Sequence, residues 1–328
     1  MSVLITGGAG YIGSHTVRYL QETGRETVVY DNLSTGHREA VSGCPLIVGD
    51  IFDKDLLKET MHKYNVQAVI HFAAFSLVGE SMTSPGKYYH NNIAGTLSLL
   101  EAMRSAGVGR IVFSSTAATF GEPEYTPIDE KHPTVPTNVY GRTKLFMESM
   151  MRDYDHAYGI KSIALRYFNA CGAHKSGEIG EDHHPESHLI PIIMQSVLGS
   201  RGPVTVFGDD YDTKDGTCIR DYIHVTDLAQ AHVLALDRLL SGCESDVFNL
   251  GNGNGFSVLE IINAVRQVTG RSVRYSIGAR RDGDPAVLIA GSQKAREVLG
   301  WKPEFADINV ILEDAWRWHS GHKNGFSV

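Results

Sequence analysis

Val3-Leu4-Ile5-Thr6 runs directly into Gly7-Gly8-Ala9-Gly10-Tyr11-Ile12-Gly13-Ser14-His15. The first four residues are apolar or β-branched and read as a buried strand. Gly7, Gly10 and Gly13 follow at G-x-x-G-x-x-G spacing, and Thr16, Val17, Tyr19 and Leu20 then take up a helical pattern. Strand, glycines, helix is the order in which a chain wraps a dinucleotide pyrophosphate. The glycines let the backbone close on the phosphates, and the helix start offers free N–H groups and a positive dipole end. The next apolar run, Thr27-Val28-Val29-Tyr30, ends in Asp31, eighteen residues past Gly13. A carboxylate there accepts hydrogen bonds from a ribose 2′-hydroxyl and repels a 2′-phosphate, which favours NAD over NADP. The expected cofactor is NAD.

Outward from this turn, strand-like and helical runs alternate. Strands are predicted over 2–6, 27–31, 45–48, 67–71, 109–114 and 161–167, and helices over 12–23, 53–63, 88–106 and 140–158. That rhythm predicts an α/β fold with a doubly wound parallel sheet of Rossmann type. The Gly49-Asp50-Ile51 turn falls at the carboxyl edge of the third strand, where adenine is held. Beyond residue 168 the rhythm breaks into loops with Pro185, Pro191, Gly199, Gly202, Pro203 and Gly208. The expected division is a NAD-binding domain over 1–168 and a smaller α/β substrate lobe over 169–328. The chain is expected to cross back to the first domain around 212–240.

Composition narrows the function classes. A net charge of −8 argues against nucleic-acid or anionic-membrane surfaces. There is no run of eighteen apolar residues to span a bilayer, and the chain enters its first strand too early to carry a signal peptide. Four cysteines without C-x-x-C spacing suit a reducing cytoplasm. The expectation is a cytoplasmic enzyme acting on a small molecule.

The chemistry is carried by Tyr140-Gly141-Arg142-Thr143-Lys144. Helical i, i+4 spacing puts Tyr140 and Lys144 on one face. A phenol with a pKa of about 10 is a poor base at neutral pH. A nearby ammonium and a positive nicotinamide ring would both lower that value. Bringing it to about 7 takes roughly 4 kcal/mol, at 1.36 kcal/mol per unit. A hydroxyl completes such a site, and Ser114-Ser115-Thr116 ends the preceding strand.

These motifs together resemble the extended short-chain dehydrogenase/reductases, and within them the nucleotide-sugar epimerases, from Met1 to about Gly321. Further shared stretches are Asp31-Asn32-Leu33-Ser34, His71-Phe72-Ala73-Ala74, Asn91-Asn92-Ile93-Ala94-Gly95-Thr96 and Leu165-Arg166-Tyr167-Phe168-Asn169. The most specific are Gly216-Thr217-Cys218-Ile219-Arg220-Asp221-Tyr222-Ile223-His224-Val225 and Arg280-Arg281-Asp282-Gly283-Asp284. The resemblance implies interconversion of UDP-glucose and UDP-galactose by transient NAD-dependent oxidation at sugar C4. It implies Tyr140 as base, Thr116 on the 4′-oxygen, and Lys144 on the nicotinamide ribose. Tyr11, Ile12, Asp31, Asn32, Asp50, Ile51, Phe72, Ala73, Ala74, Asn91 and Phe168 would surround NAD with the glycines. Arg220 and Arg281 would clamp the diphosphate, Asp284 the uridine ribose, Asn169 the sugar or diphosphate, and Phe207 would lie by the uracil. His188, Leu189, Thr205 and Leu288 complete the implied substrate contacts. A homodimer through the helices near 88–106 and 140–158 is also implied.

Three departures stand out. Ser76 replaces a lysine common in the family, so a cofactor contact is lost or replaced. His188 stands for an asparagine, and Leu288 for a bulky tyrosine behind the sugar, which leaves room for a C2 N-acetyl group. UDP-N-acetylglucosamine and its galacto epimer are therefore candidate substrates. Ala117-Ala118 occupies the place of a dehydratase's acid–base pair, which excludes water elimination. A uronic-acid epimerase remains an alternative, as does a non-catalytic NAD-binding regulator, against which the Tyr140–Lys144 pair counts. Glu181-Asp182-His183-His184-Pro185-Glu186-Ser187-His188 carries metal-ligand side chains. It reads as a polar loop over the substrate, and no metal is expected. His224 reads as a satisfied core residue and Trp301, Trp316 and Trp318 as packing of the second lobe.

Overall fold

The structure, a computed structural model, describes residues 2–281 and 283–326; Asp282 of the arginine motif lies outside them. The first half runs β1 (Ser2–Thr6), α1 (Tyr11–Glu22), β2 (Glu26–Asp31), β3 (Leu46–Val48), α2 (Lys54–Lys63), β4 (Val66–His71), α3 (Val78–Thr83) and α4 (Pro85–Tyr88). After a π-helical turn over Tyr89–Ala94 come α5 (Gly95–Ala106), β5 (Arg110–Ser114), α6 (Val139–Tyr158) and β6 (Lys161–Tyr167). The second half holds β7 (Asn169–Cys171), α7 (Leu189–Leu198), β8 (Val204–Phe207), β9 (Ile219–His224), α8 (Val225–Leu240) and β10 (Asp246–Leu250). It ends with β11 (Gly255–Ser257), α9 (Val258–Thr269), β12 (Tyr275–Gly278), β13 (Val287–Leu288) and α10 (Ile308–Gly321).

Seven strands in the order β10-β6-β5-β4-β1-β2-β3 form one sheet, parallel throughout. Because side chains alternate across a strand, β1 feeds two cores. Val3 and Ile5 pack with Val17 and Leu20 of α1 and Leu228 and Leu236 of α8. Leu4 packs on the other face with Leu57 of α2, Leu99 of α5 and Met147 of α6. Each fully buried aliphatic side chain contributes about 1.5–3 kcal/mol, and burial on both faces is why β1 reads as a continuous apolar run.

Two places depart from the sequence expectation. The single helix over 88–106 is interrupted by the π turn at Tyr89–Ala94. Asn92 accounts for it: its Nδ2 donates to Phe75 O at 3.0 Å and Thr143 Oγ1 at 3.1 Å, and its Oδ1 accepts from Phe75 N at 2.9 Å. The return to the large sheet also runs past 212–240. Helix α8 packs on α1, and β10 pairs with β6 as the edge strand. The five-residue β10 is short and buries the polar Asn249, so no apolar run advertised it.

The rest of the second half builds a smaller body around β9, flanked by β11, β13 and β7, with β8 and β12 as a separate ribbon. Helices α7, α9 and α10 close its core. Trp301 does not belong there: it is buried with α8 against the large sheet, its indole N–H donating to Asp227 O at 2.9 Å.

Candidate active site

Between the two bodies lies a cleft of about 590 Å³, bordered by the carboxyl ends of β1, β2, β4, β5 and β6. The three glycines meet it differently. Gly7 has φ +75°, and a Cβ there would stand 2.5 Å from Ala73 N. A Cβ on Gly13 would collide with Gly7 O, so this glycine seats α1 against the turn. At Gly10 the nearest atom would be Gly7 O at 3.4 Å. No packing around it requires a glycine at Gly10, and its bare backbone leaves room for a ligand phosphate to approach. Gly10 also begins α1, and no side chain caps that end, so its first N–H groups are available to an anion. The cradle fits a dinucleotide pyrophosphate.

Asp31 does more than face the cleft. Its Oδ2 accepts from Ala9 N at 2.9 Å and its Oδ1 from Leu33 N at 2.8 Å, holding the glycine turn in place. Burial pushes its carboxyl above the usual range, and the two backbone hydrogen bonds oppose this. Tyr11, Ile12, Asn32, Ile51, Phe72, Ala73, Ala74, Asn91 and Phe168 also line the cleft. Asn91 has a local tie as well, its Nδ2 donating to Asn92 Oδ1 at 3.0 Å. Asp50 does not line it: its carboxylate holds Asn32 Nδ2 at 3.1 Å and Phe52 N at 3.0 Å. Beside Ser76, Lys87 of α4 reaches the wall, paired with Glu80 at 2.7 Å.

Tyr140, Lys144 and Thr116 converge at the middle of the cleft. Asn138 caps α6, its side chain accepting from Gly141 N at 2.8 Å. A Cβ on Gly141 would collide with Ala118 O, so only glycine lets α6 approach this closely. That contact sets the Tyr140 phenol near Thr116, whose side chain favours the phenolate. Lys144 is buried, its Nζ donating to Ser114 O at 2.8 Å and lying 5.9 Å from the Tyr140 ring centre. Burial dominates both groups. It pushes the Tyr140 phenol up to about 12 against the opposing influence of Thr116, and the Lys144 ammonium down to about 7 against the pull of Glu148. The protein alone therefore keeps Tyr140 protonated; the expected lowering of its pKa needs a positive charge delivered with the ligand.

At the far end, Arg220, Asp284, Asn169, His188 and Leu288 line the cleft. Arg220 pairs with Asp284, and its neighbour Asp221 is engaged elsewhere. Asp221 is buried, accepting from Asn252 N, Gly253 N and Ala290 N, and burial pushes it up to about 6. Asn169 Nδ2 donates to Asp221 O at 2.9 Å. Leu288 packs on Phe120, Ile128, Phe168 and Ala290. The remaining expected residues lie off the wall. Leu189 opens α7, Thr205 is exposed on β8, and Arg281 stacks 3.9 Å from the Phe207 ring centre.

Residues 3–251 match the model of the NAD dependent epimerase/dehydratase family. The chain belongs to that family. A UDP-glucose 4-epimerase of Lacticaseibacillus casei is 54% identical over 327 residues, covering 99% of each chain. The crystal structure of a UDP-glucose 4-epimerase superposes with a TM-score of 0.98 at 52% identity over 100% of both chains. That of the Brucella ovis UDP-glucose 4-epimerase in complex with NAD gives 0.94 at 51% identity, over 96% of this chain and 97% of that one.

Three supports of this epimerase/dehydratase site were not read from sequence. Gly141 is one. Another is the buried pair behind Lys144, in which Arg166 Nη2 meets Glu148 Oε2 at 2.6 Å and Ser115 Oγ donates to Glu148 Oε1 at 2.6 Å. Glu148 sits one helical turn past Lys144, which was the available signal. The third is Ser81, whose Oγ accepts from Tyr140 N at 3.1 Å.

Proposed function

We propose that this chain interconverts UDP-glucose and UDP-galactose, with NAD as a resident hydride carrier. The observation that carries the reading is the Tyr140–Thr116–Lys144 group beside Ala117 and Ala118. Tyr140 lines the cleft there as a group for proton transfer, and Ala117 and Ala118 present only methyl groups where elimination would need an acid. The named activity of the full-length relatives agrees with it.

NAD, when bound, supplies an acceptor for the C4 hydride and returns it. The chain's own residues govern the proton. Tyr140 takes it from the 4′-hydroxyl and gives it back, with Thr116 hydrogen-bonded to the same oxygen. Lys144, fixed by Ser114 O, orients the nicotinamide ribose and keeps an ammonium beside the phenol. Lowering the phenol from about 12 to 7 takes about 7 kcal/mol at 1.36 kcal/mol per unit. One positive charge at about 4 Å supplies about 4 kcal/mol at an effective dielectric of 20, so both cations are needed. Arg220, released from Asp284, meets the diphosphate, and Asp284 becomes free for the uridine ribose.

Anomeric-proton NMR of the purified protein with UDP-galactose and no added NAD tests this. Conversion to UDP-glucose is expected, and Tyr140→Phe should lower the rate at least about a hundredfold. No conversion, even with NAD supplied, sinks the reading.

A second substrate is favoured by Leu288, whose side chain ends at the cleft wall. UDP-N-acetylgalactosamine should be epimerised as well. Leu288→Tyr should suppress that turnover at least tenfold more than turnover of UDP-galactose, measured in parallel tubes.

A homodimer and cytoplasmic residence belong to the same proposal. Tyr89, Leu97 and Phe146 are exposed on the π turn, α5 and α6. All four cysteines are free, and among the described residues no helix is long and apolar enough to cross a membrane.

A further inference from the structure

The loop from Glu181 to His188, read from its sequence as a polar loop without a metal, draws its ligand side chains together. One ligand atom from each of Glu181, His183, Glu186 and His188 lies within 4.8 Å of all the others. His183 Nδ1 stands 3.3 Å from Glu181 Oε1 and 3.6 Å from Glu186 Oε2. His188 Nδ1 stands 2.9 Å from Glu181 Oε1 and 3.0 Å from Glu186 Oε1. Ligands about 2.0–2.2 Å from a tetrahedral ion are about 3.3–3.5 Å apart, so four atoms that all lie within 4.8 Å of one another need small side-chain shifts to meet one ion.

Two further observations point to an ion. His183 Nδ1 is buried and makes no hydrogen bond, although two carboxylate oxygens lie nearby. A proton on that nitrogen cannot aim at both; a lone pair on a metal between them needs no such choice. Both carboxylates are also buried, with side-chain exposures of 4% and 3%. With a divalent cation bound, the two imidazoles would be neutral and the two carboxylates would balance its charge. Without it, and against the opposing effect of burial, the same carboxylates raise the two imidazoles to about 9 and about 10, so that protons stand in the ion's place.

We propose that Glu181, His183, Glu186 and His188 form a closed tetrahedral zinc site that fastens this loop over the cleft. Two nitrogen and two carboxylate donors suit Zn²⁺, whereas Ca²⁺ and Mg²⁺ take six or more oxygens. Four protein ligands leave no position for substrate, so the ion is structural. The loop's other ties show what it would secure. Trp318 Nε1 donates to Glu181 O at 3.2 Å and Phe326 N to Asp182 Oδ2 at 2.9 Å. The ring of Tyr11, from the glycine turn, stands edge-on to His183 at 6.1 Å. Glu181, His183, His184, Pro185 and His188 all line the cleft. The ion would lock that wall against the cofactor turn and the start of α7.

The full chain, stripped with a chelator and desalted, is reloaded with zinc chloride and measured by elemental analysis and thermal unfolding. About one zinc per chain and a rise in Tm with zinc concentration are expected. Cobalt(II) in its place should give the intense visible bands of a tetrahedral site. His183→Gln and Glu186→Gln should each cut retained zinc at least tenfold. If the variants fail to fold, the wild-type chain decides. Less than about a tenth of an equivalent of zinc, with an unmoved Tm, overturns the proposal. So does full zinc retention in both variants, which would assign the metal to others among the 15 histidines. None of these readouts depends on epimerase turnover, so the two readings stand or fall separately.

Discussion

Lys144 holds its charge where the fold least favours one. Burial takes its ammonium from the ordinary 10.5 down to about 7, which is worth about 5 kcal/mol against folding while the group is charged in both states. The penalty is full below pH 7 and vanishes as pH rises to 10.5, because over that interval the unfolded chain binds the extra proton. Lys144→Met removes it but orphans Ser114 O, at about 1–3 kcal/mol. With NAD removed from both proteins, urea unfolding at pH 6.5 should find the variant about 2–4 kcal/mol more stable. The gap should narrow at pH 9.5, and turnover should fall at least about a hundredfold. A variant less stable at pH 6.5 would mean that the buried ammonium costs the fold less than the lost contact to Ser114 O. At this scale the sequence was legible where spacing carries the chemistry, as with Tyr140, Lys144 and Asp31. It was silent where a residue has a second partner. Nothing in the chain announces that Asp31 holds Ala9 and Leu33, or that Arg220 reaches Asp284, sixty-four positions away, and not adjacent Asp221.

At the scale of elements, glycines of different purpose look alike in a sequence and separate only in space. Gly141→Ala must push α6 away from Ala118 and carry Tyr140 with it. We expect about 1–3 kcal/mol of destabilisation from overpacking, and a kcat at least tenfold lower from the misplaced phenol. Gly10→Ala meets nothing closer than 3.4 Å, so its stability without nucleotide should stay within about 0.5 kcal/mol. Its NAD affinity, read by calorimetry, should drop at least tenfold. Equal NAD binding would show that the pyrophosphate does not rest there. The first six strands were readable to within a residue because both faces of the sheet are buried. The π turn was not, since it is fixed by Asn92 reaching Phe75 and Thr143, contacts at 17 and 51 positions' distance that no local pattern shows.

For the whole molecule, the proposed dimer face makes a separate prediction. A Leu97→Glu, Phe146→Glu double variant should elute as a monomer in light-scattering chromatography while the parent elutes as a dimer. Its unfolding free energy as a monomer should change little, because both side chains are already exposed. A parent that is itself monomeric ends the proposal. The proposed domain boundary at residue 168 follows chain order, whereas the large sheet is complete only with β10.

That last strand sets a timetable for biosynthesis. When a ribosome has released residue 167, six strands of the nucleotide-binding sheet exist, but β6 presents a bare edge and α1 lacks its cover from α8. The missing pieces lie up to residue 250, and at about 5–20 residues per second they follow roughly 4–16 s later. Through that interval the nascent chain carries an open, apolar-flanked edge of the kind that pairs with strangers. A truncation after residue 168 would make this interval permanent, and such a fragment should aggregate instead of binding nucleotide.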